Sequence, residues 1–255
     1  MGTFPTHALS APTQASQWPI SPCGDTCLII ELAQCFSASA NRQAAALADH
    51  LQAQRQAGEL RGVLDVVPAM VTVGVHYHPT TVKCLPGELP WRSLARQLRE
   101  MMLNIPELQQ RPASNVRELP VCYGGEHGPD LEAVAARCGL TPAELIACHS
   151  AEPVTVVMLG FAPGHAYLGQ LDARLSLPRR EVPRTQVARG SIGLANRQSV
   201  IYPSELPGGW HLIGRTPVSV FDLARPEPCL LRAGDRVQFV PIEPRQFQAL
   251  AQGQP

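Results

Sequence analysis

Glycine and proline divide the second half of this sequence into short apolar runs. Proline accounts for 25 of the 255 residues, about twice its usual share of ~5%. It fits neither the interior of a helix nor a central sheet ladder. Short runs between such residues are typical of β-sandwiches and β-barrels. Strands are predicted at 154–159, 191–194, 199–202, 211–214, 218–221 and 236–241.

The first half of the sequence alternates between strand-like and helical patterns. Strands are predicted at 26–32, 63–67 and 70–76, and helices at 41–55 and 91–103. Asn41 is a candidate N-cap for the first helix, and Pro68 separates the last two strands. This β-α-β-β-α order is typical of half of a ferredoxin-like fold. A strand at 116–123, a helix at 130–138 and a helix that opens at Thr141 then precede the all-β part.

Charge and lysine content exclude several classes of partner. The formal net charge is 0 at pH 7, which gives no general attraction to nucleic acid or to an anionic membrane. No apolar run approaches the roughly 18 residues of a membrane span. Lys83 is the sole lysine and no GxxxxGK[ST] run occurs, so a Walker-type phosphate loop is excluded. Any nucleotide chemistry must therefore use arginine, backbone amides or a metal ion.

The first residues and the cysteines indicate a reduced, cytoplasmic protein. Residues 1–17 carry no arginine or lysine and no apolar core, so they match neither a secretory signal nor a transit peptide. A disordered tail is predicted there. The eight cysteines are then expected to be thiols. Cys23, Cys27 and Cys35 lack the paired spacing of a zinc site, so no metal site is expected.

Positive charge is concentrated in the segment 172–197. Six arginines stand there against Asp172 and Glu181, and Pro178 and Pro183 stiffen the backbone between them. A stiff arginine loop suits the recognition of carboxylate or phosphate oxygens. A solvated loop face is the simpler interpretation, and single-stranded nucleic acid is a third, although 5% aromatic residues leave few stacking platforms.

Two glycine–proline elements flank this basic segment. They read GFAPGHAYL at 160–168 and PGGW at 207–210. Gly160 and Gly164 are able to adopt positive φ or to let a ligand approach the backbone. Successive glycine amides in PGGW are able to form an anion-binding nest. Taken alone, each element is better explained as a tight turn.

Longer motifs make the sequence similar to a known family. GFAPGHAYLGQLDARLSLPRREVPRTQVARGSIGLA, IYPSELPGGWHLIGRTP and LRAGDRVQFVPI resemble the carboxyltransferase C/D-type domain family, and the resemblance extends over 19–242. It implies an α+β protein, with a ferredoxin-like domain at 18–112 and a cyclophilin-like β-barrel domain at 113–245. The last residues, 246–255, are expected to form a C-terminal tail that is short and helical or frayed.

The resemblance also implies an activity and partners. The family includes subunits of 5-oxoprolinase and of allophanate hydrolase, and the histidine-kinase inhibitor KipI. The first interpretation is a subunit of a complex that opens 5-oxo-L-proline to L-glutamate with ATP and Mg²⁺, through phosphorylation of the lactam. It would act with a related second subunit and a lactam-opening subunit, without nucleic acid or membrane. The alternatives are a regulatory kinase inhibitor, an allophanate or urea amidohydrolase subunit, and, with least support, a cyclophilin-like peptide binder.

The resemblance points to a set of site residues. Arginines are needed because charge spreads over phosphoryl oxygens in the transition state. The predicted catalytic residues are Arg179, Arg184 and Arg215, and a neutral substitution of Arg184 is expected to abolish turnover with the fold intact. The predicted binding residues are Gly164, His165, Gly190, Ser191, Tyr202, Pro207, Gly208, Gly209 and Trp210. His165 and His127 stand where relatives carry phenylalanine, which makes a substitute aromatic the simpler interpretation, while His149 either serves the site or anchors a helix.

Overall fold

The computed structural model describes residues 18–103, 105 and 116–252. Contacts within the chain divide it into two compact units, 1–110 and 111–255. The predicted tail at 1–17 and the predicted boundary between residues 112 and 113 lie outside the described residues, and both stay predictions.

The first unit is a sheet covered by two helices. Its elements are β1 (Ile20–Pro22), β2 (Cys27–Glu31), α1 (Ala38–Gln56), β3 (Val63–Pro68), β4 (Thr72–Tyr77) and α2 (Pro90–Leu103). The strands pair antiparallel in the order β1-β2-β4-β3. Leu28, Leu47, Val75 and Leu98 are fully buried in one apolar core that joins both helices to the sheet. The predicted strand and helix order is confirmed, and Pro68 ends the edge strand.

The beginning of α1 differs from the prediction. Ser37 is the N-cap, and its hydroxyl accepts a hydrogen bond from the Ala40 N–H at 3.1 Å. Asn41, predicted as the cap, is buried within the helix, and its side-chain amide donates to the Met70 carbonyl at 2.8 Å. The prediction was wrong because both residue types suit an N-cap, and only the three-dimensional contact assigns Asn41 to another partner.

The second unit is built around a closed barrel. Its elements are β5 (Val116–Tyr123), α3 (Leu131–Arg137), α4 (Pro142–Ser150), β6 (Val154–Leu159), β7 (Ala166–Gly169), β8 (Arg184–Val187), β9 (Ser191–Ala195), β10 (Gln198–Ile201), β11 (Leu206–Gly208), β12 (His211–Arg215), β13 (Arg236–Pro241) and α5 (Pro244–Gln252). Seven strands close the barrel in the order β10-β7-β6-β13-β5-β12-β9, and β11 pairs with β8 in a separate two-stranded sheet. An α+β fold with a barrel is therefore confirmed.

One predicted strand is absent. Residues 218–221 form an irregular segment in which the Ser219 hydroxyl donates to the Phe221 carbonyl at 2.8 Å. Phe221 makes only an isolated bridge with Cys229. The segment pairs only around this bridge, through bonds from the Leu230 N–H to the Val220 carbonyl and from the Asp222 N–H to the Pro228 carbonyl, so no regular strand forms.

Local signals in the second unit correspond to observed structure. Thr141 and Glu144 form a complete capping box at the start of α4. Asn196 and Arg197 both have positive φ, +50° and +59°, and form the two-residue turn between β9 and β10. Cysteines in the described residues are free thiols. None of the helices described is long and apolar enough to cross a membrane.

Candidate active site

The two-stranded sheet β8–β11 covers an apolar patch on the outer face of the barrel. Along β7, β9, β10 and β12, side chains alternate between the barrel interior and this outer patch. Leu168 and Ile201 point inward, whereas Tyr167 and Val200 point outward. Val187 from β8 packs on the outer patch. The sheet therefore brings the basic segment and the PGGW element onto the same face of the barrel.

Five aromatic rings on this face form a connected group, which we call the aromatic cluster. Its members are Phe161, His165, Tyr167, Tyr202 and Trp210. The His165 ring lies at its centre, with ring centroids 5.5 Å from Phe161, 4.9 Å from Tyr167 and 5.0 Å from Tyr202. Tyr167 is 6.0 Å from Trp210. The structure thus joins the GFAPGHAYL segment to the PGGW segment through side chains.

The His165 side chain is buried, and one nitrogen of its ring lacks a hydrogen-bond partner among the described residues. Its relative exposure is 1%, and Nδ1 has no hydrogen-bond partner among the described residues. Burial lowers the pKa of His165 to about 4, and the positive charge of Arg179 acts in the same direction. The imidazole is therefore neutral at pH 7. A neutral ring supplies one hydrogen-bond donor and one acceptor rather than a charge.

Tyr202 offers a protonated hydroxyl next to β11. Burial raises the pKa of Tyr202 to about 12, so the hydroxyl keeps its proton at neutral pH. A Cβ atom at Gly208 would lie 2.0 Å from the Tyr202 Oη. Gly208 is therefore required by the ring beneath it, and any larger residue would displace Tyr202.

Arg179 presents a cation at the edge of the aromatic cluster. Its guanidinium carbon lies 4.6 Å from the centre of the Trp210 ring, in cation–π geometry. The side chain is exposed, and no carboxylate in the described part of the chain pairs with it. Its charge lowers the pKa of Tyr167 and Tyr202 as well as that of His165, against the larger effect of burial on the two tyrosines. This arginine is thus held in place by an aromatic ring and keeps its N–H groups available to an anion.

Arg184 has a carboxylate partner. Its two terminal nitrogens donate to Asp130 Oδ2 at 2.9 Å and Oδ1 at 2.7 Å. Oδ2 also accepts from the Leu212 N–H at 2.7 Å, and Arg180 lies 3.5 Å from Oδ1. Burial alone would raise the pKa of Asp130, but these hydrogen bonds hold it below its usual value. Arg184 therefore fixes β8 to the start of α3, and its substitution is expected to lower the stability of the fold.

The predicted backbone nest is not formed. Gly208 belongs to β11, and neither Gly208 nor Gly209 has a positive φ, whereas a nest needs alternating backbone hands. The Gly209 carbonyl instead accepts from the Arg180 N–H at 2.8 Å. Pro207 is exposed in the same short strand. A positive-φ nest is therefore not present at Gly208 and Gly209, and the prediction that their amides bind an anion stays a prediction.

Three further predicted binding residues have structural surroundings. Gly164 has a φ of +76°, and a Cβ there would lie 2.7 Å from the Cβ of Phe221. Gly190 has a φ of +81°, and a Cβ there would lie 2.3 Å from the Thr216 carbonyl oxygen. Ser191 is buried, and its carbonyl accepts from the Tyr202 N–H at 3.0 Å. At these three residues the backbone is closely packed against neighbouring segments, which gives them a structural role beside the site.

Arg215 belongs to a different group of side chains. Its Nε donates to the Arg189 carbonyl at 2.7 Å, and its guanidinium carbon lies 5.9 Å from the Phe247 ring. The His127 ring is 4.2 Å from that same ring, and burial lowers the pKa of His127. The contacts of Arg215 and His127 thus fix α5 to the barrel, and none of those described joins the aromatic cluster.

His149 lies in the barrel core and not at the site. It is fully buried, and its Nε2 lies 3.0 Å from the Ser199 hydroxyl, which donates to the Gly193 carbonyl. Nε2 therefore carries the proton, and Nδ1 accepts from the Tyr123 hydroxyl at 2.7 Å. Burial lowers the pKa of His149 to about 3. The histidine is a neutral link in a structural chain that holds α4 on the barrel.

Sequence reasoning missed three residues of this region. Asp130 was assigned only to a helix start, and Tyr167 lay unremarked inside the motif. Phe161 has a φ of +73° and is 65% exposed, a rare combination for a bulky residue. Of the two glycines considered able to adopt positive φ, Gly164 does so and Gly160 does not, while Phe161 next to Gly160 does. Only the presence of Phe161 in the GFAPGH motif could have drawn attention to it.

Acidic and metal-binding side chains are sparse in this region. Within the described residues, no three histidine, cysteine, aspartate or glutamate side chains form a group that could hold a metal ion. The buried carboxylate of Asp130, next to the site, is already bound by Arg184. The region therefore offers a cation, two neutral polar rings and apolar walls, which is the chemistry of a small anionic or amide ligand.

The chain belongs to the family described as carboxyltransferase domain, subdomain C and D, whose model matches residues 18–231. It is 37% identical over 236 residues to the B-type subunit of 5-oxoprolinase from Bacillus subtilis (strain 168), with 91% of this chain and 96% of that protein covered. It is 44% identical over 172 residues to the B-type subunit of 5-oxoprolinase from Escherichia coli O157:H7, with 64% and 79% covered. The family resemblance inferred from the motifs is confirmed.

A solved structure shares this fold. The crystal structure of TTHA0988 superposes with a TM-score of 0.73 at 34% identity. The superposition covers 85% of this chain and 40% of the TTHA0988 chain. The present chain therefore spans less than half of that longer protein.

Proposed function

We propose that this chain is the B-type subunit of a 5-oxoprolinase, which uses ATP to open 5-oxo-L-proline to L-glutamate. The observation that carries the proposal is the similarity, over nearly the whole chain, to a bacterial protein of that name. The geometry of the aromatic cluster and Arg179 adds physical support. The proposed location is the cytoplasm.

The ligand chemistry matches the site in two parts. 5-Oxoproline carries a carboxylate and a cyclic amide on one small ring. The Arg179 guanidinium, fixed on Trp210, is suited to bind the carboxylate through paired N–H donors. The protonated hydroxyl of Tyr202 is suited to bind the amide carbonyl. The apolar walls exclude water from the ring, which strengthens both contacts.

ATP and Mg²⁺ belong to the proposal as components of the complex. ATP would supply the phosphoryl group that activates the amide oxygen, so that water opens the ring C–N bond and ADP and phosphate are released. The carboxylate next to the site does not fit a magnesium site, since Asp130 is already bound by Arg184 and the Leu212 N–H. Gly208 and Gly209 have no positive φ and so form no phosphate-binding nest. We therefore assign no step on this chain to the nucleotide or the metal ion.

The proposal includes partners and fold relationships. A related second subunit and a lactam-opening subunit would complete the enzyme, in keeping with the relatives being named as subunits. The first unit would be ferredoxin-like. In a ferredoxin-like sheet the last strand of the chain lies beside the first, and here β1 takes that position beside β2. The barrel unit would be cyclophilin-like.

The test is reconstitution of the complex from its separately purified subunits. Glutamate and ADP are measured with 5-oxo-L-proline, and ammonia and ADP with allophanate or urea, each with and without this chain. Glutamate formed in step with ADP only when this chain is present is the expected result. Turnover of allophanate or urea alone would favour the amidohydrolase alternative. No turnover from a well-formed complex would overturn the proposal and favour the kinase-inhibitor interpretation.

A further inference from the structure

The Nδ1 atom of His165 is a buried polar atom without a partner among the described residues. It is enclosed by the rings of Phe161, Tyr167 and Tyr202. Native proteins rarely leave such an atom unsatisfied, because the loss of its hydrogen bond to water is costly. An unsatisfied atom at the centre of a candidate ligand site indicates that the ligand is its partner.

Phe161 packs over the His165 ring from a turn with a strained backbone. Phe161 packs edge-on to the His165 ring at 5.5 Å, with a φ of +73° and 65% of its surface exposed. An L-residue in this conformation carries backbone strain. The turn follows β6 and precedes β7, so it is anchored at both ends. Displacement of this one exposed ring gives a small ligand a route to Nδ1.

Among the described residues, the one charged group that acts on the His165 ring is a cation. Arg179 is the cation that acts on the His165 ring, and the neighbouring hydroxyls of Tyr167 and Tyr202 are protonated at neutral pH. Tyr202 is a donor suited to a carbonyl. A cyclic amide whose carbonyl lies on Tyr202 therefore needs an acceptor for its N–H.

We propose that Nδ1 of His165 accepts a hydrogen bond from the N–H of a cyclic amide ligand, while Arg179 binds the carboxylate of that ligand. His165 then lets this chain, unlike relatives with phenylalanine at this position, distinguish an amide ring from a carbocyclic acid through a side-chain hydrogen bond. The inference rests on the proposed function for the identity of the natural ligand. It concerns binding, so it is testable without turnover.

Binding of three small molecules to the full chain tests the His165–amide contact and the Arg179–carboxylate contact separately. 5-Oxo-L-proline carries both groups, 2-pyrrolidinone only the amide, and cyclopentanecarboxylate only the acid. His165→Phe keeps a ring and removes both nitrogens. It is predicted to weaken binding of 5-oxo-L-proline and 2-pyrrolidinone about tenfold and to leave cyclopentanecarboxylate within about twofold. Arg179→Met is predicted to weaken the two acids and spare 2-pyrrolidinone. His127→Phe, a like substitution outside the aromatic cluster, is the control.

A spectroscopic measurement on the wild-type chain needs no variant. With ¹⁵N-labelled histidine, 2-pyrrolidinone is expected to shift the Nδ1 resonance of His165 in the direction of an acceptor that gains a hydrogen bond, and cyclopentanecarboxylate is not. An unmoved Nδ1 resonance, absence of amide binding, or equal binding by His165→Phe would overturn the inference. Turnover that survives His165→Phe would leave the proposed function standing without it. Amide binding that depends on His165, in a complex without turnover, would leave this inference standing and overturn the proposed function.

Discussion

At the scale of single residues, Asp130 has the largest structural effect in the region of the site. Its carboxylate accepts from Arg184 on β8 and from the Leu212 N–H on β12, and it stands immediately before α3. Three elements thus meet at one partly buried charge. A charge in this position is stabilising only while its partners are present.

Arg184→Met is predicted to lower the free energy of unfolding by about 2 kcal/mol, because it leaves the Asp130 carboxylate without its bidentate partner. The pKa of Asp130 is depressed in the folded state. The associated stability is therefore present above about pH 4 and is lost as pH falls through the folded pKa. The variant should show less of this acid-dependent loss in urea unfolding.

Arg174→Met is the matched control, since Arg174 pairs with Asp172 on the surface of the same segment. Because solvent screens an exposed ion pair, its unfolding midpoint in urea should coincide with that of the wild type. Equal stability of Arg184→Met and wild type would contradict the role assigned to Asp130.

The buried histidines predict a second pH effect. His149 and His165 have folded pKa values of about 3 and about 4, below the ordinary value of about 6.5. The unfolded chain binds more protons, so stability falls as pH drops from 6.5 toward 4. His149→Phe should reduce the slope of unfolding free energy near pH 5 by about 1.4 kcal/mol per pH unit. An unchanged slope would show that His149 is not buried in its neutral form.

At the scale of elements, the strands differ in how far the sequence predicts them. β5, β6 and β13 coincide with the predicted runs, because each is at least six residues long and holds several β-branched or aromatic residues. β1, β7, β8 and β11 were missed, since each is only three or four residues long, and β8 and β11 pair only with each other. Pairing between segments about twenty residues apart leaves no periodic pattern in either one.

Gly190 tests whether a predicted binding residue is in fact structural. Gly190→Ala should destabilise the barrel unit by about 3 kcal/mol or more, since the new Cβ would lie 2.3 Å from the Thr216 carbonyl oxygen. Gly139→Ala is the control, because Gly139 also has a positive φ, +68°, but faces open space. It should cost only about 1 kcal/mol of backbone strain. Similar thermal shifts in the two variants would argue against the packing role of Gly190.

At the scale of the whole molecule, all the candidate-site residues lie in the second unit. The family motifs identified this region from the sequence and included Arg179, His165, Tyr202 and Trp210. They did not reveal which residues touch, because Phe161 and Trp210 are about fifty positions apart and meet only through the rings of His165 and Tyr167. The motifs also made Arg179, Arg184 and Arg215 equal candidates. In the structure Arg179 lies on Trp210, Arg184 is paired with Asp130, and Arg215 lies near Phe247.

The central claim is that Arg179 on the aromatic cluster binds the substrate of a 5-oxoprolinase. The most direct measurement is 5-oxoproline-dependent glutamate formation by the reconstituted complex, with Arg179→Met compared with Arg189→Met. Both variants remove one exposed arginine from the same segment, so general loss of charge is matched. Arg179→Met is predicted to lose at least a hundredfold in kcat/KM, equivalent to about 2.7 kcal/mol, and Arg189→Met to keep near wild-type activity. Equal activity of the two variants would contradict the claim.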